Sequence, residues 1–224
     1  MSDVPFRFPD PVTLVGGGPV DTNVLSACIN LAPALIAADG GGNTVLPHGR
    51  EFHSVIGDMD SVVDVKGLEA RGVRMHHVAE QDSTDLEKCV TRIHAPLILG
   101  VGFTGGRVDH QLGALNVLSK FPDRAIALVG RQDVCFVCHG NLRFELVEKT
   151  RVSLFPMAPA RAVKGRGLKW SPEGIDFAPA GLTGTSNEAL GGPVELAFEG
   201  GPVLVILPQD ELRQVFDVLT ERQV

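Results

Sequence analysis

Nowhere in this 224-residue chain does an apolar run approach the roughly 20 residues that a membrane-crossing helix needs, so no membrane partner is expected. The opening MSDVPFRFPDP holds acidic residues and prolines where a signal peptide would hold its hydrophobic stretch, and a cytoplasmic protein is the expectation. Cysteine is scarce. Cys28, Cys89, Cys135 and Cys138 all lie in apolar surroundings, the habit of reduced intracellular thiols, which argues against a disulfide framework. Basic residues are in deficit too: 20 Lys and Arg stand against 27 Asp and Glu, a formal net charge of -7. Such a chain lacks the basic face that displaces counterions from DNA or RNA, so no nucleic-acid partner is expected and an acidic, metal-holding site fits better. Internal repeats and low-complexity tracts are missing as well, which leaves an ordinary globular protein long enough for one large domain or two modest ones.

What is present is an alternation. Strands over Val12 to Gly16, Ala34 to Asp39, His53 to Asp58, Val73 to Ala79, Ala95 to Val101 and Ala125 to Gly130 are interleaved with helices over Asn23 to Leu31, Leu86 to His94 and Gln111 to Leu118. Short apolar runs separated by amphipathic stretches predict an N-terminal doubly wound, mostly parallel α/β sheet domain. From Asn141 the texture changes to LRFELVE, RVSLFPM, VELAFE and VLVILP, punctuated by Gly, Pro and Asn. This predicts a smaller antiparallel β-sandwich domain closed by one helix in DELRQVFDVL, so the expected division is residues 1–140 and 141–224.

Ligands of open α/β sheets bind beyond the carboxyl ends of the strands, and aspartates gather there. The second and third of these strands end in Asp39-Gly40-Gly41-Gly42-Asn43 and Gly57-Asp58-Met59-Asp60-Ser61. Glycines let backbone approach a phosphate, while carboxylates supply hard oxygen ligands for Mg²⁺. Asp58 and Asp60, two apart in extended backbone, share a side and can converge on one ion; an Asx turn leaving a strand is the plainer alternative. In Asp82-Ser83-Thr84-Asp85-Leu86-Glu87-Lys88, Thr84 and Glu87 make a capping-box pattern. Asp85 and Lys88 then share a helical face that could hold a metal-bound phosphate or form a surface ion pair. A fourth cluster runs from Gly102 to His110. Its glycines, Gly105 and Gly106 among them, and the amides of a helix start suit an anion; Arg107 can pair with phosphate, and Asp109 can cap the helix or position Arg107. His110 either contacts the nucleotide or belongs to a capped turn.

Three features carry less. Gly16-Gly17-Gly18-Pro19 is a nucleotide contact or a tight turn, since a P-loop lysine and a full dinucleotide fingerprint are both missing. Cys135 and Cys138 have Cys-x-x-Cys spacing, but residues three apart on a strand face opposite ways and no second pair completes a zinc site. His76 and His77 diverge for the same reason.

Together the four clusters resemble, in order and spacing, the signatures of the thiamine pyrophosphokinase family: Asp-Gly-Gly/Ala-x-Asn, Gly-Asp-x-Asp-Ser, Asp-x-Thr-Asp-x-x-Lys and Gly-Gly-Arg-x-Asp-His. Gly167 to Trp170 and Ser186-Asn187-Glu188 look like the signatures of that family's β domain, so the resemblance covers nearly the whole chain. It implies a Mg²⁺-dependent enzyme that passes the pyrophosphoryl group of ATP to the hydroxyl of thiamine, giving thiamine diphosphate and AMP. It implies that Asp39, Asp58, Asp60 and Asp85, with Asp82 nearby, make the metal and phosphate environment. Lys88 and Arg107 would neutralise phosphate charge, and Gly40, Gly41, Asn43, Thr84, Gly105, Gly106, Asp109 and His110 would line the nucleotide side. Ser186 and Asn187 are implied to contact thiamine across the interface of a homodimer with shared active sites. Residues 1–140 would then be the catalytic, nucleotide- and metal-binding domain and 141–224 the thiamine-binding and dimerisation domain. Trp170 stands where a Tyr is common and either stacks on the cationic thiazolium or packs in the β domain; Gly42 stands where many members have Ala. Two other readings stay open at this point: transfer to another acceptor such as a pterin, or simple nucleotide hydrolysis, and a non-catalytic thiamine-binding regulatory module.

Overall fold

The computed structural model describes residues 6–45 and 52–221, in two compact units. One comprises Met1–Val117 with Leu128–Arg131, the other Leu118–Ala127 with Gln132–Val224. The first unit begins with β1 (Phe6–Arg7), β2 (Val12–Val15), α1 (Thr22–Leu31), β3 (Ala34–Ala38), α2 (Gly41–Val45) and β4 (Ser54–Gly57). It continues through α3 (Val65–Ala70), β5 (Arg74–His77), α4 (Asp85–Val90), β6 (Ile93–His94), β7 (Ile98–Val101) and most of α5 (Val108–Lys120), whose last three residues fall to the second unit, as does the first half of β8 (Ile126–Val129). Parallel strands lie in the order β7-β2-β3-β4-β5, with β8 beyond β7. β2 and β7 are buried at every residue, as a sheet covered on both faces requires, and this is the expected doubly wound architecture. From β2 the chain moves outward through β3 and β4 to β5, then returns to β7 and on to β8. The order therefore reverses between β2 and β7, where such sheets open a crevice.

Helix lengths depart from expectation. α4 ends at Val90 and does not reach His94; Ile93 and His94 pair in parallel with Phe6 and Arg7. The Thr91 hydroxyl donates back to the carbonyls of Glu87 (2.9 Å) and Lys88 (3.1 Å), competing with helix continuation, and β-branched Ile93 then suits a strand. Conversely, α5 begins at Val108, before the expected Gln111, and takes Asp109 and His110 into its first turn. Helices α2 and α3 are too short to show an apolar period in the sequence.

The second unit is antiparallel. β9 (Asp133–Leu146) and β14 (Gly192–Pro208) pair along nearly their whole length, with a break between Phe198 and Val203. On one side of the break β14 pairs with β11 (Ala160–Arg166), which carries β12 (Asp176–Phe177). On the other it pairs with β10 (Arg151–Pro156), which carries β13 (Gly184–Glu188). The long strands thus carry a strand pair on each side of the break, and a Cβ placed on Gly184 would stand 3.1 Å from Leu154 Cβ and 3.3 Å from the Phe177 ring. Asn141, where the sequence texture changes, lies within β9, and Gln132 opens this unit's continuous stretch. Helix α6 (Leu212–Glu221) buries Leu212, Val215, Val218 and Leu219 and closes this unit against β9. Among the described residues no helix is long and apolar enough to cross a membrane.

None of the four cysteines is in a disulfide, and all four are buried. Burial pushes the thiols of Cys28 and Cys135 up to about 12. Alkylation needs the thiolate. Iodoacetamide at pH 8 is therefore expected to leave the native chain unlabelled and to modify all four thiols after denaturation, read by intact mass; rapid native labelling at Cys135 would contradict this.

Candidate active site

The tips of β2, β3, β4 and β7 and the starts of α4 and α5 surround a cleft of about 880 Å³ in the first unit. Asp39 and Met59 both have left-handed backbone, φ 42 and 66, rare for residues other than glycine. Such turns sit just after β3 and β4 and help to bring Asp39, Asp58 and Asp60 together: their carboxylate oxygens lie within 4.8 Å of one another. Asp39 is 3% exposed, and its Oδ1 has no hydrogen-bond partner in the protein. A buried carboxylate oxygen left bare is costly unless a hard positive group takes it. Three aspartate oxygens at this spacing are a donor set for a divalent cation such as Mg²⁺, so the residues present fit that ion.

Lys88, 2% exposed on α4, faces this group. Its Nζ lies 3.4 Å from Asp58 Oδ2 and 3.5 Å from Asp85 Oδ1. Burial opposes the lysine's charge, but Asp85 and Asp58 outweigh it and raise its pKa above the ordinary value, so the ammonium persists. Gln81 Nε2 donates to Asp58 Oδ2 at 2.9 Å, and that bond leads the effects holding the Asp58 carboxyl below its usual range. Asp85 moves the other way: desolvation raises it against the pull of Lys88, and the charges on Asp39 and Asp58 add to the rise.

The loop before α4 decides which acidic residues face inward. Thr84 caps the helix by accepting from the Glu87 amide, and Glu80 accepts from the amides of Asp82 and Ser83. Thr84 and Asp85 consequently line the cleft, while Asp82 is exposed and does not. On the far side, Arg107 is paired through Nε and Nη2 with Asp109 at 3.1 and 2.6 Å, which drops the Asp109 carboxyl to about 2. Gly106, Arg107, Asp109 and His110 line the cleft; Gly105 does not, and its amide donates to Gln111 Oε1.

The glycine run after β2 belongs to the site. Gly16 and Gly18 amides donate to the carbonyls of Val101 and Gly102, and a Cβ on Gly18 would stand 2.6 Å from the Gly102 oxygen. Two loops lie against each other there, bringing Gly17, Gly18 and Pro19 to the cleft. Gln81 went unnoticed in the sequence. Gly40 lines the cleft, whereas Gly41 is buried beneath it against Val15.

Asn43 also lines the cleft, but both ends of its amide are engaged. Nδ2 donates to Ser61 O at 2.7 Å and Oδ1 accepts from Val63 N at 3.0 Å, tying α2 to the loop that carries Asp58 and Asp60. At about 0.5–1.5 kcal/mol net per hydrogen bond, Asn43→Ala is expected to cost about 1–2 kcal/mol, measured by denaturant unfolding; an unchanged midpoint would show that the clamp is idle.

Trp170, Ser186 and Asn187 belong to the second unit. Trp170 is exposed, Ser186 has φ 61 with its amide on Ser153 Oγ, and Asn187 is buried with its amide bonded to the Trp170 backbone.

Residues 25–129 match the family model described as thiamin pyrophosphokinase, catalytic domain. Thiamine pyrophosphokinase 2 of Arabidopsis thaliana is 31% identical over 185 residues, 68% of this chain and 69% of that protein. Thiamine pyrophosphokinase 1 of the same plant is 32% identical over 187 residues, with coverage of 68% and 69%. Among solved structures, thiamin pyrophosphokinase from Geobacillus thermodenitrificans shares 26% identity and a TM-score of 0.75, over 88% of this chain and 97% of that one. With identity above 30% across two thirds of both chains, and the four acidic and glycine-rich clusters gathered in one cleft, the chain belongs to the thiamine pyrophosphokinase family.

Proposed function

We propose that the chain is a thiamine pyrophosphokinase that takes the pyrophosphoryl group from ATP with Mg²⁺, in the cytoplasm and as a homodimer with shared active sites. The convergence of Asp39, Asp58 and Asp60, with the Asp39 oxygen buried and bare, is the observation that carries this reading. These three residues would hold Mg²⁺, with Asp85 beside them across Lys88. When bound, the ion neutralises phosphate oxygens and the charge that builds on the leaving group.

The chain's own groups do the rest. Lys88 keeps a positive charge at the floor of the cleft, and Arg107, held by Asp109 at the rim, offers a planar fork to phosphate oxygens. Gly17, Gly18, Gly40 and Gly106 keep the walls free of side chains, so phosphate can approach backbone amides. The hydroxyl oxygen of thiamine bonds to the β-phosphorus, the bond from that phosphorus to the bridging oxygen breaks, and AMP departs with the oxygen. The hydroxyl proton passes to solvent or a carboxylate. Positioning and charge neutralisation suffice for this chemistry, and no nucleophilic side chain is required. In the second unit, Trp170, Ser186 and Asn187 would meet thiamine, with Asn187 also holding the Trp170 backbone.

The relatives named above are thiamine pyrophosphokinases, which weighs against a pterin acceptor and against a non-catalytic module. Incubating the purified protein with ATP, Mg²⁺ and thiamine tests the proposal. AMP should appear in step with thiamine diphosphate; thiamine-independent release of ADP or phosphate would overturn it.

A further inference from the structure

Trp170 is the chain's one tryptophan, and the chain has no tyrosine. Its side chain is largely in solvent, the residue being 57% exposed, yet its backbone is firmly held. The buried Asn187 donates from Nδ2 to Trp170 O at 2.6 Å, while its Oδ1 accepts from the amides of Trp170 at 3.2 Å and Glu188 at 2.8 Å. The indole is therefore a platform on a rigid base. That platform already carries a cation: Lys169 Nζ lies over the ring, 4.8 Å from its centre, and Glu188 Oε1 holds the same ammonium at 3.3 Å. An ammonium and a cationic ring cannot share one aromatic face, because they overlap and repel.

We propose that Lys169 is a displaceable internal cation, occupying the face of Trp170 until a cationic acceptor ring takes its place and leaves Glu188 beside the newcomer. The proposal rests on the reading that the second unit receives the thiazolium of thiamine. Lys169 sets a threshold for binding: a neutral ring must evict the ammonium without restoring a cation–π contact, whereas a thiazolium restores it and gains the nearby carboxylate.

With a single tryptophan and no tyrosine, fluorescence excited at 295 nm reports the Trp170 side chain alone. Thiamine is titrated into the full-length protein with Mg²⁺ and a non-hydrolysable ATP analogue, for the wild type, Lys169→Met, which keeps the stem without the charge, and Lys169→Arg, which keeps a cation. Lys169→Met should bind thiamine two- to fivefold more tightly, roughly the range of an exposed cation–π contact, and Lys169→Arg should match the wild type. Lys164→Met, which removes a lysine paired with Glu195 elsewhere in the unit, should leave the affinity unchanged. Equal or weaker thiamine binding by Lys169→Met, with emission still responding, overturns the role of Lys169 and leaves the acceptor reading intact. Equal tightening by Lys164→Met also overturns it, in favour of general charge. Turnover of thiamine with no change of emission in any variant removes Trp170 from the acceptor site, and the proposal with it.

Discussion

Asp58→Asn is expected to lower turnover by roughly three orders of magnitude, and Asp60→Asn to lower it comparably, while both variants stay folded. A carboxylate ligand that helps an ion neutralise transition-state charge is worth several kcal/mol, and each 1.36 kcal/mol is tenfold in rate. The fold has little at stake. Asn at position 58 keeps an acceptor for Gln81, and it removes one negative charge from a cleft where five aspartates face one lysine and one arginine. Lys88 keeps Asp85 as a partner at 3.5 Å. Asp60 is exposed and accepts only from the Ser61 hydroxyl and no buried group. Unfolding free energy should therefore change by no more than about 1 kcal/mol, as for most surface or charge-relieving substitutions. Steady-state AMP release measures the first effect, thermal melting the second, and calorimetric titration with Mn²⁺ should show weakened binding in both variants. Near-normal turnover in both would remove these residues from the metal site; loss of the folded state would make them structural.

The sequence announced this arrangement because aspartate and glycine stand where apolar runs end, and strand tips are where an α/β sheet receives ligands. Which way each side chain turns was a different matter. Asp82 and Asp85 carry the same chemistry three residues apart, and only the Thr84 cap and the Glu80 turn decide that Asp85 faces inward. Asn43 reads as a ligand residue by motif, yet its amide is turned onto the backbone of Ser61 and Val63, contacts 18 and 20 residues away that no local pattern reports. Gln81 is a neutral side chain in an acidic stretch, and its bond to Asp58 spans 23 residues. The glycines after β2 lacked a motif, but their place at the tip of the strand beside the reversal of order was the available signal. At the level of the fold, Thr91 and the two-residue pairing of β1 with β6 shortened a helix whose apolar period would have carried it further.

Gly41→Ala is expected to be the most damaging methyl that can be added near the site, and Gly42→Ala next to it close to harmless. A Cβ on Gly41 would stand 1.9 Å from the carbonyl oxygen of Val15 and 2.7 Å from its carbon. Both are backbone atoms of β2, a strand bonded on either side to β3 and β7, so neither can yield without moving the centre of the sheet. Overpacking of this kind costs about 1–3 kcal/mol in ordinary cores, and a backbone obstacle places the cost at about 3 kcal/mol or above. At about 2–4 °C per kcal/mol for a chain of this size, the melting midpoint should fall by roughly 6–12 °C. Because only Gly40 separates α2 from Asp39, the shift should displace that carboxylate, and metal affinity should fall together with stability. A Cβ on Gly42 meets only Val55 Cγ2 at 3.5 Å and Leu68 Cδ1 at 3.9 Å, ordinary contact distances. Alanine there also restricts the unfolded chain and suits a helix, so a gain of about 0.4–1 kcal/mol is expected. The opposite signs at adjacent glycines separate close approach of β2 from any general intolerance of the loop; equal melting points for the two variants would show that Val15 gives way more easily than its place in the sheet implies.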